Sequence, residues 1–232
     1  MKNKMNTKQF KKYQKAFIQS LKKVLEDRGK DSAISEAAFP AYTDANFLAR
    51  FLFWRRIWVV NKYLENNRPF ETILDFGSGS GVLLPIADEY SKHLLGYDIN
   101  LVPYKEVSKH FNFPPNVRIL NHLKNLEEIS DNSIDLILCL DVLEHVDDLE
   151  GIISKFKYIL KPNGKILISG PTENLFYKLG RKIAGKDYKG DYHISNIFDI
   201  KKRFTSNFKI KNIATLYYPM PLFKIYEAVL KS

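Results

Sequence analysis

The chain has 232 residues, of which 45% are hydrophobic, and this length fits one ordinary domain with a few additions. Its single cysteine, Cys139, excludes an internal disulfide and suits a reducing compartment. The net charge of +10 is uneven: residues 1–30 carry 10 Lys and Arg against 2 Asp and Glu, residues 176–232 carry 12 against 4, and residues 31–175 carry 14 against 20.

Basic ends of this kind can meet nucleic acid, anionic lipid or a phosphorylated substrate, or can simply form a solvated surface, and the composition favours neither interpretation. The basic N-terminus lacks the apolar run of a signal peptide. Arg50, Arg55 and Arg56 interrupt the most apolar long run, so no membrane span is expected. We expect a soluble cytoplasmic protein, with contact to a membrane surface as an alternative location.

Two helices are predicted before residue 68. Residues 1–30 repeat apolar side chains every three or four positions, which is typical of a helix with one buried face. A second helix is predicted from about Asp44 to Leu64, with Thr43 or Asp44 as its N-cap and a wide apolar stripe. We assign residues 1–68 to a helical extension that caps the main domain, residues 69–232, on its acceptor side. The apolar positions of the first helix are Phe10, Tyr13, Phe17, Leu21 and Leu25.

From Phe70 onwards short β-rich runs alternate with helical segments, a pattern that predicts an α/β fold with a parallel sheet covered on both faces. ILKPNG, residues 159–164, predicts a helix end and a tight turn, with Pro162 and Gly164 as breakers. A sixth strand is predicted at FKIKNIATLYY, whereas LFKIYEAVL fits a strand or a helix equally well. The first five runs are TILDF, HLLGYD, VRIL, IDLILCL and GKILIS.

The first of these runs leads into a glycine loop, ILDFGSGSG. Gly77, Gly79 and Gly81 let the backbone turn sharply and approach a ligand closely. The loop is expected to open a helix near Val82, at the carboxyl edge of the sheet where ligands of α/β proteins bind and where a helix N-terminus favours anionic groups. Val82 stands where a dinucleotide fingerprint has its third glycine, which argues against a nicotinamide or flavin cofactor.

Two acidic residues refine the ligand class. A carboxylate at Asp75, just before the loop, would repel a pyrophosphate but attract a cationic group. Asp98 follows the second run, 17 residues after Gly81, near the usual distance for an acid that binds the hydroxyls of a ribose. The pattern therefore indicates a ligand with a cationic amino-acid part and a ribose.

Three stretches in order resemble the successive motifs of the class I S-adenosylmethionine-dependent methyltransferases: ILDFGSGSGVLLPIADEYSKHLLGYDIN, DNSIDLILCLDVLEHVDD and LKPNGKILISGPTEN. The resemblance covers roughly residues 70–172. It implies a Rossmann-like, doubly wound, mostly parallel seven-stranded sheet. It also implies S-adenosylmethionine as the cofactor and S-adenosylhomocysteine as the product, with no residue assigned to a metal.

By this resemblance Asp98 takes the ribose hydroxyls and Ile99 lies against the adenine. Members of the family often carry an acid after the third strand that reaches the adenine amino group. Asn121 and His122 stand there instead, so an amide or an imidazole would have to substitute. The complete set implied for cofactor binding is Asp75, Gly77, Ser78, Gly79, Gly81, Asp98, Ile99, His122, Leu123 and Leu140.

The family places the residues that flank the methyl group after the fourth strand, where Leu140 and Asp141 precede Glu144 and His145. A neutral imidazole can take a proton near neutral pH. Two structural interpretations remain open: Asp141 also fits a helix N-cap and His145 also fits a structural histidine, while Cys139 is most simply a core residue. The candidate catalytic set is His145, Asp141 and His193.

Acceptor choice must come from additions to the common core, namely residues 37–58 and an insertion at about 171–207, both rich in aromatic and basic residues. We rank a small molecule or a lipid or glycan precursor first, nucleic acid second and protein third. The alternative hypotheses are an RNA methyltransferase and a non-catalytic cofactor-binding or membrane-surface module. The oligomeric state is not predicted. In the insertion, the candidates for an acceptor pocket are Tyr188, Tyr192, His193, Arg181 and Lys182.

Overall fold

The computed structural model describes residues 5–29, 42–43, 47–121, 126–172, 195–217 and 221–231. The helices are α1 (Thr7–Arg28), α2 (Phe47–Asn67), α3 (Leu84–Asp88), α4 (Val102–Ser108), α5 (Leu149–Ile159) and α6 (Ile197–Phe204), with a 3₁₀ turn at Leu143–His145. The strands are β1 (Phe70–Phe76), β2 (Ser91–Tyr97), β3 (Val117–Leu120), β4 (Ile134–Leu140), β5 (Leu160–Pro171), β6 (Phe208–Leu216) and β7 (Phe223–Leu230). Within these described ranges no helix is long and apolar enough to cross a membrane.

The sheet has seven strands in the order β3-β2-β1-β4-β5-β7-β6. β2 pairs with β3, β1 with β4 and β4 with β5 in parallel, and β7 runs antiparallel to both of its neighbours. This confirms the predicted α/β fold with a mostly parallel sheet. LFKIYEAVL, left open between strand and helix, supplies the antiparallel strand β7.

Three local features differ from the sequence prediction. α1 begins at Thr7, because Asn6 and Gln9 form a reciprocal capping box. The helix after the glycine loop begins at Leu84, two residues later than expected, and is only five residues long. The predicted break at Pro162 and Gly164 lies inside β5 and not before it. Ile134 pairs with Leu160 and Leu136 with Lys165, so residues 161–164 form an irregularity within the strand.

The chain divides into two compact units, residues 1–70 with 78–121 and residues 71–77 with 122–232. The predicted domain boundary between residues 68 and 69 stays a prediction. In the first unit the aromatic face of α1 packs edge-to-face against neighbouring rings. The ring centroids of Phe10 and Trp58 are 4.8 Å apart, and those of Phe17 and Phe111 are 5.1 Å apart. The Tyr13 hydroxyl donates a hydrogen bond to the carbonyl of Val82.

In the second unit β4 is buried along almost its whole length, as expected for a central strand with both faces covered. Phe76 at the end of β1 packs edge-to-face on Phe156 of α5, with ring centroids 5.0 Å apart. Asp135 on β4 accepts hydrogen bonds from the Lys161 ammonium, at 2.8 and 2.9 Å, and from the backbone N–H of Thr72, at 2.8 Å. These contacts hold the strands in register below the carboxyl edge of the sheet.

Phe17→Ala tests the contribution of α1 to the first unit. Phe17 is fully buried among aromatic rings, and its truncation leaves a cavity, so the free energy of unfolding should fall by about 3–5 kcal/mol. Urea unfolding measures the loss, and the exposed Gln19→Ala on the same helix should change stability by at most about 0.5 kcal/mol. Similar small losses in both variants would contradict the described packing.

Candidate functional site

The three glycines of the loop between β1 and α3 have different surroundings. A Cβ added to Gly77 would lie 2.3 Å from the Val142 side chain, and one added to Gly81 would lie 2.7 Å from the Phe113 ring. A Cβ on Gly79, whose φ is +52°, would meet nothing within 4 Å. Gly77 and Gly81 therefore allow close packing within the protein. Gly79 is the position where bare backbone borders open space and where a ligand can approach it.

The loop is held in place by backbone hydrogen bonds. The N–H of Ser78 donates to the carbonyl of Tyr97 at 2.9 Å, and that of Gly81 donates to the carbonyl of Ser78 at 2.7 Å. The N–H of Gly79 donates to Oδ2 of Asp98 at 2.7 Å. These hydrogen bonds fasten the bend to the carboxyl end of β2.

Asp98 is the carboxylate at the centre of this arrangement. Its Oδ1 accepts a hydrogen bond from the N–H of Asn100 at 2.9 Å. Burial raises the pKa of Asp98, and the N–H groups of Asn100, Gly79 and Ile99 partly offset this rise. A carboxylate oxygen can accept more than one hydrogen bond, so Asp98 can still accept from ligand hydroxyls. Next to it the Ile99 side chain is 76% exposed, which offers an apolar surface beside the carboxylate.

Ser78 provides an independent sign of a polar ligand. The residue is 5% exposed, and its Oγ has no hydrogen-bond partner among the residues that the structure describes. A buried hydroxyl without a partner is costly, and natural proteins rarely leave one. A polar ligand group bound on the loop would give the Ser78 hydroxyl a hydrogen-bond partner.

Asp75 is the penultimate residue of β1, buried and in register with Leu138 of β4. Cys139 lies in β4. Burial raises the pKa of its thiol well above the usual range, and the charge of Asp75 reinforces this rise. The thiol therefore stays protonated and is not a nucleophile. Cys139 is the core residue that the sequence indicated.

Asp141 follows β4 with a φ of +54°, a left-handed conformation that is uncommon for a residue other than glycine. Its Oδ1 accepts a hydrogen bond from the Ser169 hydroxyl at 2.9 Å, and its N–H donates to the Ser169 carbonyl at 3.1 Å. The N-cap of the following 3₁₀ turn is Val142, so the interpretation of Asp141 as a cap is wrong. Ser169 instead fixes Asp141 at the carboxyl edge of the sheet.

The next two titratable residues both lie in the 3₁₀ turn and differ in exposure. Glu144 is buried, whereas His145 is exposed. His145 is thus the one of the two that solvent can reach. Leu140, in register with Ser169, is partly exposed at the same edge. His122, Leu123 and His193 lie outside the described residues, as do Tyr188, Tyr192, Arg181 and Lys182, and their roles stay predictions.

Sequence reasoning missed Ser169, Val142 and Phe113. Ser169 ends the fifth β-rich run, and its register with Leu140 next to Asp141 would have identified it. Nothing in the sequence pairs Val142 with Gly77 or Phe113 with Gly81. Those contacts appear only once the chain is folded.

Comparisons with known proteins fit this geometry. The model of a methyltransferase domain family matches residues 48–207. An uncharacterised protein of Methanocaldococcus jannaschii is 27% identical over 84% of this chain and 80% of its own length. The ubiquinone biosynthesis O-methyltransferase of Pasteurella multocida is 31% identical, over 42% of this chain and 45% of that enzyme.

Among solved structures, the magnesium protoporphyrin IX methyltransferase of Synechocystis, determined with bound SAH, is similar in fold. Its TM-score is 0.58 at 21% sequence identity, covering 90% of this chain and all of that one.

Substitutions of the loop glycines should separate packing from ligand approach. Gly77→Ala should destabilise the fold by about 1–3 kcal/mol, because its Cβ overlaps Val142, and Val142→Ala in the same chain should recover part of that loss. Gly79→Ala meets no atom and should cost only the strain of its backbone, about 1 kcal/mol. Chemical unfolding of the four variants, including Val142→Ala alone, gives the coupling energy. A coupling energy near zero would contradict the contact between residues 77 and 142.

Proposed function

This chain belongs to the class I S-adenosylmethionine-dependent methyltransferases, and on that premise we propose that it methylates a small molecule or a lipid or glycan precursor. The observation that carries the cofactor-binding part of this proposal is the bare backbone at Gly79, which borders open space while its N–H is fixed by Asp98. When bound, S-adenosylmethionine supplies an electrophilic methyl group on a sulfonium.

The family pattern assigns the cofactor to particular residues. Asp98 accepts from the ribose hydroxyls and Ile99 covers the adenine, which is supported by the free accepting capacity of Asp98 and the exposure of Ile99. Gly79 and Ser78 take the methionyl part, supported by the open space at Gly79 and the unpartnered hydroxyl of Ser78. Asp75 suits the cationic amino-acid part of S-adenosylmethionine, because this cofactor has no pyrophosphate that the carboxylate would repel.

The chemistry asks little covalent work of the protein. Transfer from a sulfonium is an in-line displacement, so alignment of the acceptor is the main contribution of the site. We assign the orientation of the acceptor to Asp141, which the Ser169 hydroxyl holds after the end of β4. An acceptor hydroxyl must also lose its proton, and the exposed His145 is the base that we assign to this step. A relative named for O-methylation supports a hydroxyl acceptor.

A second candidate, RNA as the acceptor, is favoured by one surface. α1 carries an exposed lysine stripe opposite its buried aromatic face, and no Asp or Glu occurs between residues 5 and 25. At 100° per residue the stripe occupies an arc of about 120°. The stripe holds neither arginine nor an exposed aromatic residue, which are the side chains that recognise unpaired bases, so we rank RNA below the small-molecule class. It consists of Lys8, Lys11, Lys12, Lys15, Lys22 and Lys23.

The same stripe would suit an anionic membrane surface, where each lysine contributes about 1 kcal/mol of attraction. The buried aromatic face of α1 is not available for insertion, so such a contact would be electrostatic and reversible. Attachment to a membrane, like a cytoplasmic location, stays a prediction.

Replacing Asp98 tests the cofactor assignment. Asp98→Ala should weaken the binding of S-adenosylhomocysteine at least tenfold. The variant loses the charge-assisted hydrogen bonds that we assign to the two ribose hydroxyls, and it loses the hydrogen bond from the N–H of Gly79. Isothermal titration calorimetry measures this, with the exposed Asp131→Ala as the control of equal charge change. Unchanged affinity in Asp98→Ala would remove the assignment.

The pH dependence of the same binding provides a further check. Burial raises the pKa of Asp98 in the free protein, so its carboxylate protonates at a higher pH than the ordinary 3.8 as the solution is acidified. The affinity for S-adenosylhomocysteine should therefore decline on acidification before an ordinary aspartate would titrate. Asp98→Asn, which cannot protonate, should bind weakly but without this decline, and an identical pH profile in the variant would contradict the role of residue 98.

A quadruple variant tests the RNA alternative. Lys8, Lys11, Lys12 and Lys15 are changed to Gln, and a matched control changes Lys155, Lys157, Lys209 and Lys211. Binding to a 20-nucleotide RNA and to phosphatidylserine vesicles is measured at two salt concentrations. We expect similar, weak and salt-sensitive RNA binding in both variants. Saturable RNA binding lost only from the stripe variant would favour RNA as the acceptor.

A further inference from the structure

One face of β7 carries a lysine and a tyrosine that lie close to a second lysine on α6. Lys224 and Tyr226 alternate along the strand and so point to the same face of the sheet. α6 covers this face: Lys224 is in register with Gly170, and a Cβ built on Gly170 would lie 3.3 Å from Ile197, the first residue of α6. The cluster therefore lies between α6 and β7, within the second unit.

Two ammonium groups lie beside one aromatic ring in this cluster. Nζ of Lys201 is 5.4 Å and Nζ of Lys224 is 5.9 Å from the centroid of the Tyr226 ring. Nζ of Lys224 is also 5.6 Å from the half-exposed Phe198 ring. Cation–π attraction at such distances is modest, and two like charges near one ring repel each other.

No carboxylate neutralises these two lysines within the part of the chain that the structure describes. Elsewhere in the unit basic side chains do find acids: Lys161 lies 2.8 Å from Asp135 and Lys165 lies 3.2 Å from Glu227. The hydroxyl of Tyr226 likewise has no hydrogen-bond partner among the described residues. Among the described residues the cluster thus presents two cations and one hydroxyl that can donate, and no carboxylate.

We propose that Lys201, Lys224 and Tyr226 bind a phosphate group of the methyl acceptor. The inference rests on the proposed function and narrows its acceptor class to phosphate-bearing molecules. A phosphate supplies two negative charges and several acceptor oxygens, which matches two ammonium groups and a phenol.

The register places this cluster relative to the reacting centre. Leu140 pairs with Ser169, and Lys224 pairs with the next residue of β5, Gly170. The backbone of Lys224 is therefore two strands from the end of β4, or about 10 Å at about 4.8 Å per strand. We therefore expect an acceptor whose phosphate and methyl-accepting atom are separated by a distance of this order.

Inorganic phosphate is the first probe, used with the full-length chain. In ¹⁵N-correlated NMR spectra the amides of Phe198, Lys224 and Tyr226 should shift saturably with phosphate. In Lys201→Gln/Lys224→Gln the apparent affinity should fall at least tenfold. Lys202→Gln, on the same helix with no ring contact, should bind as the unmodified chain does. Phosphate should also raise the Tm of the unmodified chain and leave that of the double variant unchanged, a response that a merely structural pair of lysines would not produce.

Calorimetry with S-adenosylhomocysteine on the same proteins keeps the two proposals separate. We expect unchanged cofactor affinity in the double variant, and a failure of the unmodified chain to bind the cofactor would overturn the proposed function alone. Glycerol 3-phosphate and vesicles containing phosphatidic acid distinguish a soluble phosphomonoester from a lipid headgroup as the source. Equal weakening of phosphate binding by Lys202→Gln, or no saturable shift at α6 and β7, would overturn the phosphate site.

Discussion

The hydrogen bond from the N–H of Gly79 to the Asp98 carboxylate is the contact on which the site depends. It joins the backbone of Gly79, beside which a Cβ would meet no atom within 4 Å, to the residue that follows β2. The two residues to which we assign the amino-acid part and the ribose of the cofactor are therefore in direct contact. A carboxylate suits this position because it can accept from the loop, from Asn100 and from a ribose at once. The associated cost is desolvation, which the raised pKa of Asp98 reports.

Much of the fold followed from local pattern. Period and composition located β1 to β6 and the N-terminal helix within a few residues, because each is decided by which face is buried. LFKIYEAVL stayed ambiguous because its apolar residues fit a helix as well as a strand, and only pairing with β5 and β6 decides the matter. The break at residues 161–164 was predicted as a turn before the strand, because only the pairing of Leu160 with Ile134 shows that β5 begins earlier.

The site was predictable where a backbone motif demanded particular residues and unpredictable where side chains meet across the fold. The GxGxG spacing and Asp98 were visible in the sequence. It did not reveal that the two glycines differ. A methyl group added to Gly77 would collide with the Val142 side chain, whereas one added to Gly79 would meet no atom. Ser169 was overlooked for a similar reason: its hydroxyl matters only because Asp141 adopts a left-handed backbone beside it.

The hydrogen bond from Tyr13 to the carbonyl of Val82 ties the N-terminal helix to the residue directly after the glycine loop. Deleting the first helix would therefore remove a hydrogen bond to the residue after this loop, together with the positive charge of the helix. A chimaera that takes its N-terminal helix from a homologue needs a tyrosine at the position of Tyr13 to keep this hydrogen bond. If a variant that lacks the first helix binds the cofactor poorly, the loss of this hydrogen bond is a sufficient explanation. Poor binding would not show that the helix contacts the substrate.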